Sequence, residues 1–327
     1  MSQWKVYVTR PVPQPAIDLL AERCEVEVNP EDRVLSKEEL IEKIRGRDGV
    51  FCLLTDKIDA EVMDAAPGVK VFANMAVGFD NIDIPAATAR GILVTNTPGV
   101  LTEATAEFAW ALLFAVARRV VEADKFMRAG KYRAWGPMLM LGQEIHGKTL
   151  GVIGGGRIGT AFARRAKGFD LKVLYTDVRP NPQFEAETGG RFVDTDTLLR
   201  ESDFVSIHVP LTPSTRHLIG ERELKLMKKS AILINTSRGP VVDEAALVKA
   251  LREGEIWGAG LDVFEREPEM VPGLAELDNV VVCPHIASAT WETRTAMATM
   301  AARNLLAALE GQLPPQCVNP EAYKAGR

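Results

Sequence analysis

Short apolar runs alternate with amphipathic stretches through the first hundred residues of the chain. Five of these runs are typical of strands: Lys5–Thr9, Glu25–Asn29, Gly49–Leu54, Val71–Asn74 and Ile92–Thr95. The stretches between them have the composition of short helices, and Ser36 with Glu39 forms a capping box at the start of one of them. Because strands that alternate with helices indicate βα units, we expect this part of the chain to fold around a parallel sheet.

A second series of α/β units follows a longer amphipathic stretch. That stretch, Thr102–Val121, is expected to be one helix with a wide apolar face, packed between domains or at a dimer contact. Six more strand-like runs come after it: Thr149–Ile153, Val173–Thr176, Phe204–Val209, Ala231–Asn235, Gly258–Asp262 and Val280–Cys283. Six parallel strands with helices between them predict a doubly wound dinucleotide-binding domain. The last long helix is predicted over Glu292–Glu310.

These patterns predict an α/β protein of two lobes, Rossmann-like or flavodoxin-like, each with a doubly wound parallel sheet, and an active-site cleft between the lobes. We expect the first lobe over residues 1–99, completed by residues 289–327, because two-domain chains often place both termini together. The dinucleotide-binding lobe is expected over residues 100–288. A chain of 327 residues is long enough to form two such cores.

Composition and charge exclude several classes of protein. The chain has 46% hydrophobic and 25% charged residues, as ordinary globular proteins do. Its net charge of −5 provides no basic field for nucleic acid or an anionic membrane. The longest apolar run, near Ala109–Ala117, is too short to span a bilayer, and the first residues lack a secretory signal pattern. The four cysteines do not have the spacing of metal ligands. We therefore expect a cytoplasmic protein without a metal site.

A glycine-rich motif lies at the start of the second series. The run Gly154–Gly159 fits G-x-G-x-x-G, follows an apolar strand and opens a helix, which is the context that a dinucleotide fingerprint requires. Gly154 allows the tight turn, Gly156 lets the backbone approach a pyrophosphate, and Gly159 lets the helix pack on the strand. The pyrophosphate would then be held by amide groups at the amino terminus of the helix.

The choice of dinucleotide depends on two residues beyond the next strand. Asp177 follows that strand, and its carboxylate can accept hydrogen bonds from ribose hydroxyls and would repel a 2′-phosphate. Arg179 is two residues further along and could pair with a 2′-phosphate. We expect NAD as the cofactor, with NADP as the open alternative.

Three residues of the second series have the chemistry that reduction of a 2-keto acid needs. Arg238, Glu267 and His285 each follow a predicted strand, and ligands bind at the carboxyl ends of strands in open α/β sheets. A guanidinium can hold a carboxylate through its planar fork, and an imidazole beside a carboxylate is favoured in its protonated form. Each residue also has a plainer interpretation as a structural or surface side chain, and the sequence does not show whether Glu267 and His285 touch.

The chain resembles the D-2-hydroxyacid dehydrogenase family over essentially its full length. The segments that carry the resemblance are Val77–Asp83, Gly154–Gly159, His208–Thr212, Asn235–Val242, Gly260–Phe264, Glu267–Pro268 and Pro284–His285. The resemblance implies that Arg238 orients the substrate, that His285 is the acid and base, and that Glu267 tunes His285. It also implies that the backbone at Val77 and Gly78 binds the substrate carboxylate.

The same resemblance implies four further contacts with the cofactor. Asp262 would hydrogen-bond the nicotinamide amide, and Thr236 would face the nicotinamide end of the cofactor. Arg157 and Ile158 would lie at the pyrophosphate.

Within the family, the chain is most similar to the glyoxylate and hydroxypyruvate reductases. Leu53 lies in a run that resembles their substrate-lining loop, where it would bound a small pocket. Trp135 lies in a segment that resembles the one by which these enzymes place a tryptophan in the partner subunit's site, which implies a homodimer. Simple interface packing is the alternative role for this tryptophan. The chain departs from the family pattern at Gly155 and Ala287, where a bulkier residue and a glycine are more usual.

Two other functions stay open on the sequence. The first is a dehydrogenase of the same family that acts on a bulkier 2-keto acid. The second is an NAD-sensing binding protein like the family's transcriptional co-repressors, which retain the same catalytic residues.

Overall fold

The computed structural model describes residues 3–325 of the chain. The chain divides into two compact units, one formed by Met1–Leu101 together with Thr290–Arg327 and the other by Thr102–Ala289. The boundaries expected from the sequence were after residues 99 and 288. Among residues 3–325, no helix is both long and apolar enough to cross a membrane.

The first unit is built on a five-stranded parallel sheet. Its strands are β1 (Trp4–Val8), β2 (Cys24–Val28), β3 (Gly49–Cys52), β4 (Val71–Asn74) and β5 (Leu93–Thr95). The helices between them are α1 (Gln14–Ala21), α2 (Lys37–Ile44), α3 (Ala60–Asp64) and α4 (Ile84–Ala89). The spatial order β2-β1-β3-β4-β5 is the flavodoxin-like order, in which the strand order reverses between β1 and β3. Loops that follow these two strands are therefore the expected place for a ligand in this unit.

The second unit begins with two helices, α5 (Thr102–Ala117) and α6 (Val120–Arg128). The prediction of a single helix over Thr102–Val121 is therefore wrong. The carbonyl of Ala117 accepts a hydrogen bond from the Gln143 amide at 2.8 Å, and Arg119 has a left-handed backbone with φ of 54°. This contact with a distant part of the chain ends the first helix, and the apolar pattern carries no sign of it.

A seven-stranded parallel sheet forms the centre of the second unit. Its strands are β6 (Thr149–Ile153), β7 (Lys172–Thr176), β8 (Arg191–Phe192), β9 (Phe204–Ile207), β10 (Ile232–Asn235), β11 (Gly258–Leu261) and β12 (Val280–Val282). Six of them match predicted strands, and β8 is an additional edge strand. The order β12-β11-β10-β9-β6-β7-β8 is the doubly wound order, and it reverses between β6 and β9. The predicted fold class is confirmed.

The helices of this unit pack on both sides of its sheet. They are α7 (Arg157–Arg164), α8 (Pro182–Thr188), α9 (Thr195–Glu201), α10 (Glu221–Leu226) and α11 (Glu244–Glu253), with 3-10 helices at Arg165–Phe169 and Gly239–Val241. Gly260 of β11 packs closely on Leu112 of α5, which brings that helix onto the sheet.

Two C-terminal helices, α12 (Trp291–Leu309) and α13 (Pro320–Ala325), belong to the first unit. Helix α12 packs on β3, where Gly49 leaves room for the side chain of Leu305. The end of the chain thus completes the core that the first hundred residues begin.

Candidate active site

The glycine-rich turn lies between β6 and α7, at the point where the strand order reverses. Gly154 has a φ of +100°, and a Cβ there would lie 2.6 Å from the carbonyl oxygen of His208 on the neighbouring strand end. A Cβ at Gly159 would lie 2.0 Å from the carbonyl oxygen of Gly154. These two glycines are therefore required by the close approach of backbone segments.

Gly156 differs from the other fingerprint glycines because a Cβ there would meet no protein atom within 4 Å. Gly156 precedes the first residue of α7, and Arg157 and Ile158 form the start of that helix, where amide groups have no partner within the helix. The open space and the free amide end fit the pyrophosphate of a dinucleotide. The contacts predicted for Arg157 and Ile158 stay predictions.

Asp177 follows β7 and holds the glycine-rich turn in place. Its Oδ2 atom accepts a hydrogen bond from the Gly155 amide at 2.8 Å, and its Oδ1 atom accepts one from the Val178 amide at 2.7 Å. A carboxylate has lone pairs left for two ribose hydroxyls after these bonds. Arg179 is exposed beside it. The contact of Asp177 with a ribose, expected from the sequence, stays a prediction.

Gly155 is the position where the sequence departs from the usual family pattern. A Cβ there would lie 3.1 Å from the Tyr175 ring and 3.4 Å from the Phe184 ring. Nδ2 of the Asn181 side chain donates to the Gly155 carbonyl at 2.8 Å. Two aromatic rings therefore occupy the space that a larger residue at this position would need.

Asp262 is fully buried at the end of β11 and organises the segment that carries His285. Its two carboxylate oxygens accept hydrogen bonds from the amides of Ile286 and Ala287, at 2.8 and 2.7 Å. Its own carbonyl accepts from the His285 amide at 2.8 Å. Burial raises the pKa of Asp262, and the two amide bonds oppose that rise. Both carboxylate oxygens already hold the backbone, so a contact with nicotinamide would be additional.

His285 and Glu267 lie side by side, which the sequence left undecided. Nδ1 of His285 is 2.9 Å from Oε2 of Glu267, and Oε1 of Glu267 accepts a hydrogen bond from the Phe264 amide at 3.1 Å. Burial acts to raise the pKa of Glu267, but the hydrogen bond and charge of His285 hold it below the usual value. His285 has a φ of 56°, an uncommon conformation for a residue with a side chain. Nε2 of the ring takes no part in this contact.

Arg238 lies in the loop after β10, and this loop packs against the turn that carries Glu267. A Cβ at Gly239 would lie 1.9 Å from the carbonyl carbon of Phe264, so the two backbone segments touch. Arg238 also lowers the pKa of Glu267 by its charge, after larger contributions from burial, His285 and the Phe264 amide. The ends of β10, β11 and β12 are neighbours in the sheet and bring these three side chains to one edge.

Thr236 is also in the loop after β10. In the part of the chain that the structure describes, its buried Oγ1 has no hydrogen-bond partner. A buried polar atom without a partner is uncommon, and a bound ligand would explain it. Together with the open space at Gly156, this atom shows that the residues present fit a nicotinamide dinucleotide.

The substrate residues predicted in the first unit are linked by three asparagines. Asn81 donates to the carbonyl of Leu53 at 3.1 Å, and Asn74 donates to the carbonyl of Gly78 at 3.1 Å and to the side chain of Asn81 at 3.1 Å. Asn96 donates to the carbonyl of Val77 at 2.8 Å. The loops that carry Leu53, Val77 and Gly78 are thus held together after β3 and β4.

These asparagines were not predicted as site residues. Asn81 lies within Val77–Asp83, one of the segments that carry the resemblance to the family, and Asn74 ends a predicted strand. These positions are the signals by which Asn81 and Asn74 could have been identified.

Trp135 belongs to the same unit as the predicted catalytic residues but lies far from them in the sequence, and its side chain is 80% exposed. Among residues 3–325, no group of three or more His, Cys, Asp or Glu side chains could hold a metal ion.

Comparison with known proteins identifies the family. The D-isomer specific 2-hydroxyacid dehydrogenase, NAD binding domain, matches residues 110–287. The chain belongs to the D-isomer specific 2-hydroxyacid dehydrogenase family. This confirms the resemblance seen in the sequence, and it assigns an NAD-binding domain to the second unit of the dehydrogenase.

Three relatives of this dehydrogenase have informative names. The glyoxylate reductase of Thermofilum pendens is 56% identical over 331 residues, which is 99% of this chain and 97% of the relative. The glyoxylate reductase of Thermococcus gammatolerans is 53% identical over 98% of this chain and 97% of the relative. A solved structure, the NADPH-dependent glyoxylate/hydroxypyruvate reductase of Sinorhizobium meliloti in complex with NADP and malonate, is 33% identical with a TM-score of 0.86 and covers 98% of each chain.

Proposed function

We propose that this dehydrogenase reduces glyoxylate or hydroxypyruvate to the corresponding 2-hydroxy acid, which is the D isomer where the product is chiral. The observation that carries the proposal is the 2.9 Å contact between His285 and Glu267 at the same sheet edge as Arg238. Relatives named glyoxylate reductase, 56% and 53% identical to this chain, support the choice of a small substrate.

Each residue of this constellation has a distinct task in the proposed reduction. A bound reduced nicotinamide would supply the hydride. Arg238 would grip the substrate with its guanidinium, which matches the planar geometry of a carboxylate. His285 would donate a proton from Nε2 to the carbonyl oxygen, and Glu267 would stabilise the protonated ring through Nδ1. His285 would thus supply the proton of the new hydroxyl group while Arg238 holds the substrate in place.

The backbone amides of Val77 and Gly78, in the first unit, would bind a substrate carboxylate. No hydrogen bond of the described residues uses the amide of Val77 or of Gly78, whereas both carbonyls are engaged by asparagines. Two such amides suit a carboxylate, because charge-assisted hydrogen bonds to anions are strong. We infer that Leu53, which is held to the same network through Asn81, limits the size of the group next to the keto carbon.

The cofactor site favours NAD, with NADP as the alternative. Asp262 would hydrogen-bond the nicotinamide amide, and Thr236 would contribute from the loop after β10. The buried Oγ1 of Thr236 is the atom that would face the nicotinamide end. The carboxylate of Asp177 would accept the ribose hydroxyls, and the exposed Arg179 is the residue that would favour a 2′-phosphate.

A steady-state assay tests this function directly. Loss of reduced-nicotinamide absorbance is measured with glyoxylate, hydroxypyruvate and phenylpyruvate, each with NADH and with NADPH. We expect the highest kcat/KM with one of the two small acids. Faster turnover of phenylpyruvate would instead make the protein a dehydrogenase of bulkier 2-keto acids. NADH binding without turnover of any of the three acids would contradict the proposal and support a sensing role.

We infer further that the enzyme is a homodimer. Within residues 120–141 the exposed large apolar side chains are Val120, Val121, Met127, Tyr132, Trp135, Met138, Leu139 and Leu141. Helix α6, which begins this segment, has no buried residue. Monomeric proteins rarely expose large apolar patches, so we propose that a second copy of the chain covers these side chains.

Sedimentation of the wild type and of three variants at two tryptophans tests the dimer. Trp135→Asp should weaken the dimer, whereas Trp291→Asp should not, because Trp291 is equally exposed, at 89%, but lies in the other unit. A monomeric wild type would contradict the inference. If Trp135→Ala stays dimeric and yet raises KM for the keto acid, Trp135 lines the partner's site; if KM is unchanged, it only packs at the interface.

We also infer that the enzyme works in the cytoplasm. The four cysteines all lie within residues 3–325, and all four are free thiols, with Cys24 and Cys52 buried. Free thiols are typical of a reducing compartment. Fractionation of cells that express the tagged protein tests this, and recovery from the periplasm or the medium would contradict it.

A further inference from the structure

Two glutamates exchange hydrogen bonds close to the predicted catalytic residues. Oε1 of Glu265 accepts from the Glu244 amide at 2.9 Å, and Oε1 of Glu244 accepts from the Glu265 amide at 2.5 Å. Oε2 of Glu244 also accepts from the Val271 amide at 3.4 Å. Glu244 is almost fully buried, and its burial raises the pKa of the carboxyl group. Neither residue has a task in the reaction as described above.

A histidine completes this network from a different segment of the chain. Nε2 of His217 lies 3.0 Å from Oε2 of Glu265. The His217 backbone has a left-handed φ of 50°, and its amide donates to the carbonyl of Pro240 at 2.8 Å. Left-handed residues with side chains persist where surrounding contacts determine their conformation. The contacts of His217 therefore join Glu265 to the loop that follows Arg238.

The network connects the two segments that carry Arg238 and Glu267. Glu265 lies two residues before Glu267, and Phe264 donates its amide to the Glu267 carboxylate at 3.1 Å. The backbone of Phe264 and Glu265 touches Gly239, which follows Arg238 directly. A displacement of Glu265 would therefore move both the carboxylate that pairs with His285 and the guanidinium that would hold the substrate.

We propose that His217 and Glu265 are positioning residues for the keto-acid reduction, acting through Glu267 and Arg238. The proposal rests on the function proposed above, because it assigns these two residues a role in that same site. The hydrogen bond between them fixes the separation of the Arg238 loop and the Glu267 turn. Glu244, through its reciprocal bonds with Glu265, anchors the pair to the start of helix α11.

Three variants separate positioning from a merely structural role. His217→Leu removes the side-chain hydrogen bond, whereas His217→Gln keeps an N–H group that can reach Glu265. His146→Leu is the matched control, because Nε2 of His146 also lies 3.0 Å from a carboxylate, that of Asp170, away from the site. We expect His217→Leu to lower kcat at least tenfold with unchanged NADH affinity and Tm. His217→Gln should recover most of the activity, and His146→Leu should behave as the wild type.

Two results would overturn the positioning role. One is a His217→Leu variant with the kcat and KM of the wild type. The other is a loss of activity that follows a loss of Tm and NADH affinity in the same proportion, since this would show only a weaker fold.

A spectroscopic readout keeps this test independent of turnover. The chain has four histidines, so single variants assign every ring resonance in an NMR spectrum. His217→Leu should move the ring resonances of His285, and His146→Leu should leave them in place. If the wild type reduces neither glyoxylate nor hydroxypyruvate, the proposed function fails. If the ring resonances of His285 do not respond to His217→Leu, the positioning role is contradicted, whatever the outcome for the proposed function.

Discussion

Nδ1 of His285 lies 2.9 Å from Oε2 of Glu267, although the two residues are 18 positions apart and follow different strands. The carboxylate is oriented in turn by the Phe264 amide, and its pKa is held below the usual value by the imidazole despite the opposing effect of burial. The contact engages Nδ1 with the carboxylate, so Nε2 is the ring nitrogen from which a proton could be donated to a substrate.

A double-mutant cycle on this pair should show strong coupling. We expect His285→Ala to lower kcat by at least about a hundredfold, as loss of a general acid implies, and Glu267→Gln to lower it by about tenfold or more. The double variant should be no slower than His285→Ala, because Glu267 acts only through the ring.

The measurements for this cycle are kcat with the preferred keto acid and Kd for NADH. Glu276→Gln is the control, since Glu276 is exposed and pairs with Arg252 and not with a residue of the site. Multiplicative losses in the double variant would show that the two residues act independently, and unchanged turnover in His285→Ala would remove it from the mechanism.

Replacement of Gly156 or Gly159 by alanine should affect different properties, cofactor binding in the first case and stability in the second. At Gly156 the new methyl group meets no protein atom within 4 Å, so we expect Tm to be unchanged and Kd for NADH to rise at least about tenfold, as the backbone no longer approaches the pyrophosphate. At Gly159 the methyl group would lie 2.0 Å from the Gly154 carbonyl oxygen, so Tm should fall.

Thermal unfolding and NADH titration of both glycine variants check this difference. Gly168→Ala is a suitable control, because a Cβ there also meets nothing within 4 Å and Gly168 lies in the 3-10 helix Arg165–Phe169. A Gly156→Ala variant that binds NADH as the wild type does would contradict the assignment of this position to the cofactor.

His208, whose carbonyl oxygen lies against Gly154 of the glycine-rich turn, should make the protein sensitive to acid. Burial lowers the pKa of His208 to about 3, whereas a histidine in the unfolded chain has a pKa of about 6.5. Between these values the unfolded chain binds more protons than the folded chain. The contribution of His208 to the free energy of unfolding is therefore complete above about pH 6.5 and is lost as the pH falls toward about 3. The loss from one such group is at most about 1.4 kcal/mol per pH unit.

Replacement of His208 by glutamine should therefore flatten the dependence of Tm on pH between about 6.5 and 4. Glutamine keeps a polar group near the Ser206 hydroxyl, which lies 2.9 Å from Nε2 of His208. His146→Gln is the control on an exposed histidine. If the Tm curves of the wild type and His208→Gln run parallel across this range, the burial of His208 has no effect on acid stability.

The fold was predictable from the sequence where the apolar runs were continuous. Strands such as β6 and β9 are buried on both faces, and buried parallel strands have uninterrupted apolar sequences. Strand β8 has two residues, Arg191 and Phe192, too few to show any period. The break between α5 and α6 depends on the Gln143 amide reaching the Ala117 carbonyl, and no local pattern encodes that contact.

The site was predictable as a set of residues at strand ends, but its contacts were not. Glu267 and His285 were singled out by position, and their separation depends on how the segments after β11 and β12 turn toward each other. Asp262 sets part of that turn by binding the amides of Ile286 and Ala287. The network of Glu244, Glu265 and His217 was missed for the same reason, since its members come from three segments and share no motif.

The choice between NADH and NADPH should depend mainly on the charge of Asp177. Its carboxylate accepts from the Gly155 amide, so Asp177→Ala would disturb the turn as well as the charge. Asp177→Asn keeps one acceptor oxygen and removes the repulsion of a 2′-phosphate. We expect it to raise the ratio of kcat/KM for NADPH to that for NADH by about tenfold, a change of about 1.4 kcal/mol.

Arg179 provides the matched test of this explanation. In the double variant Asp177→Asn with Arg179→Ala, the gain toward NADPH should be largely lost, because the exposed guanidinium is the group that would pair with the phosphate. Arg179→Ala alone should change kcat/KM for NADH little. An unchanged cofactor ratio in Asp177→Asn, with Tm also unchanged, would show that the carboxylate orients the turn without selecting the cofactor. Selectivity would then have to come from the shape of the segment between β7 and α8.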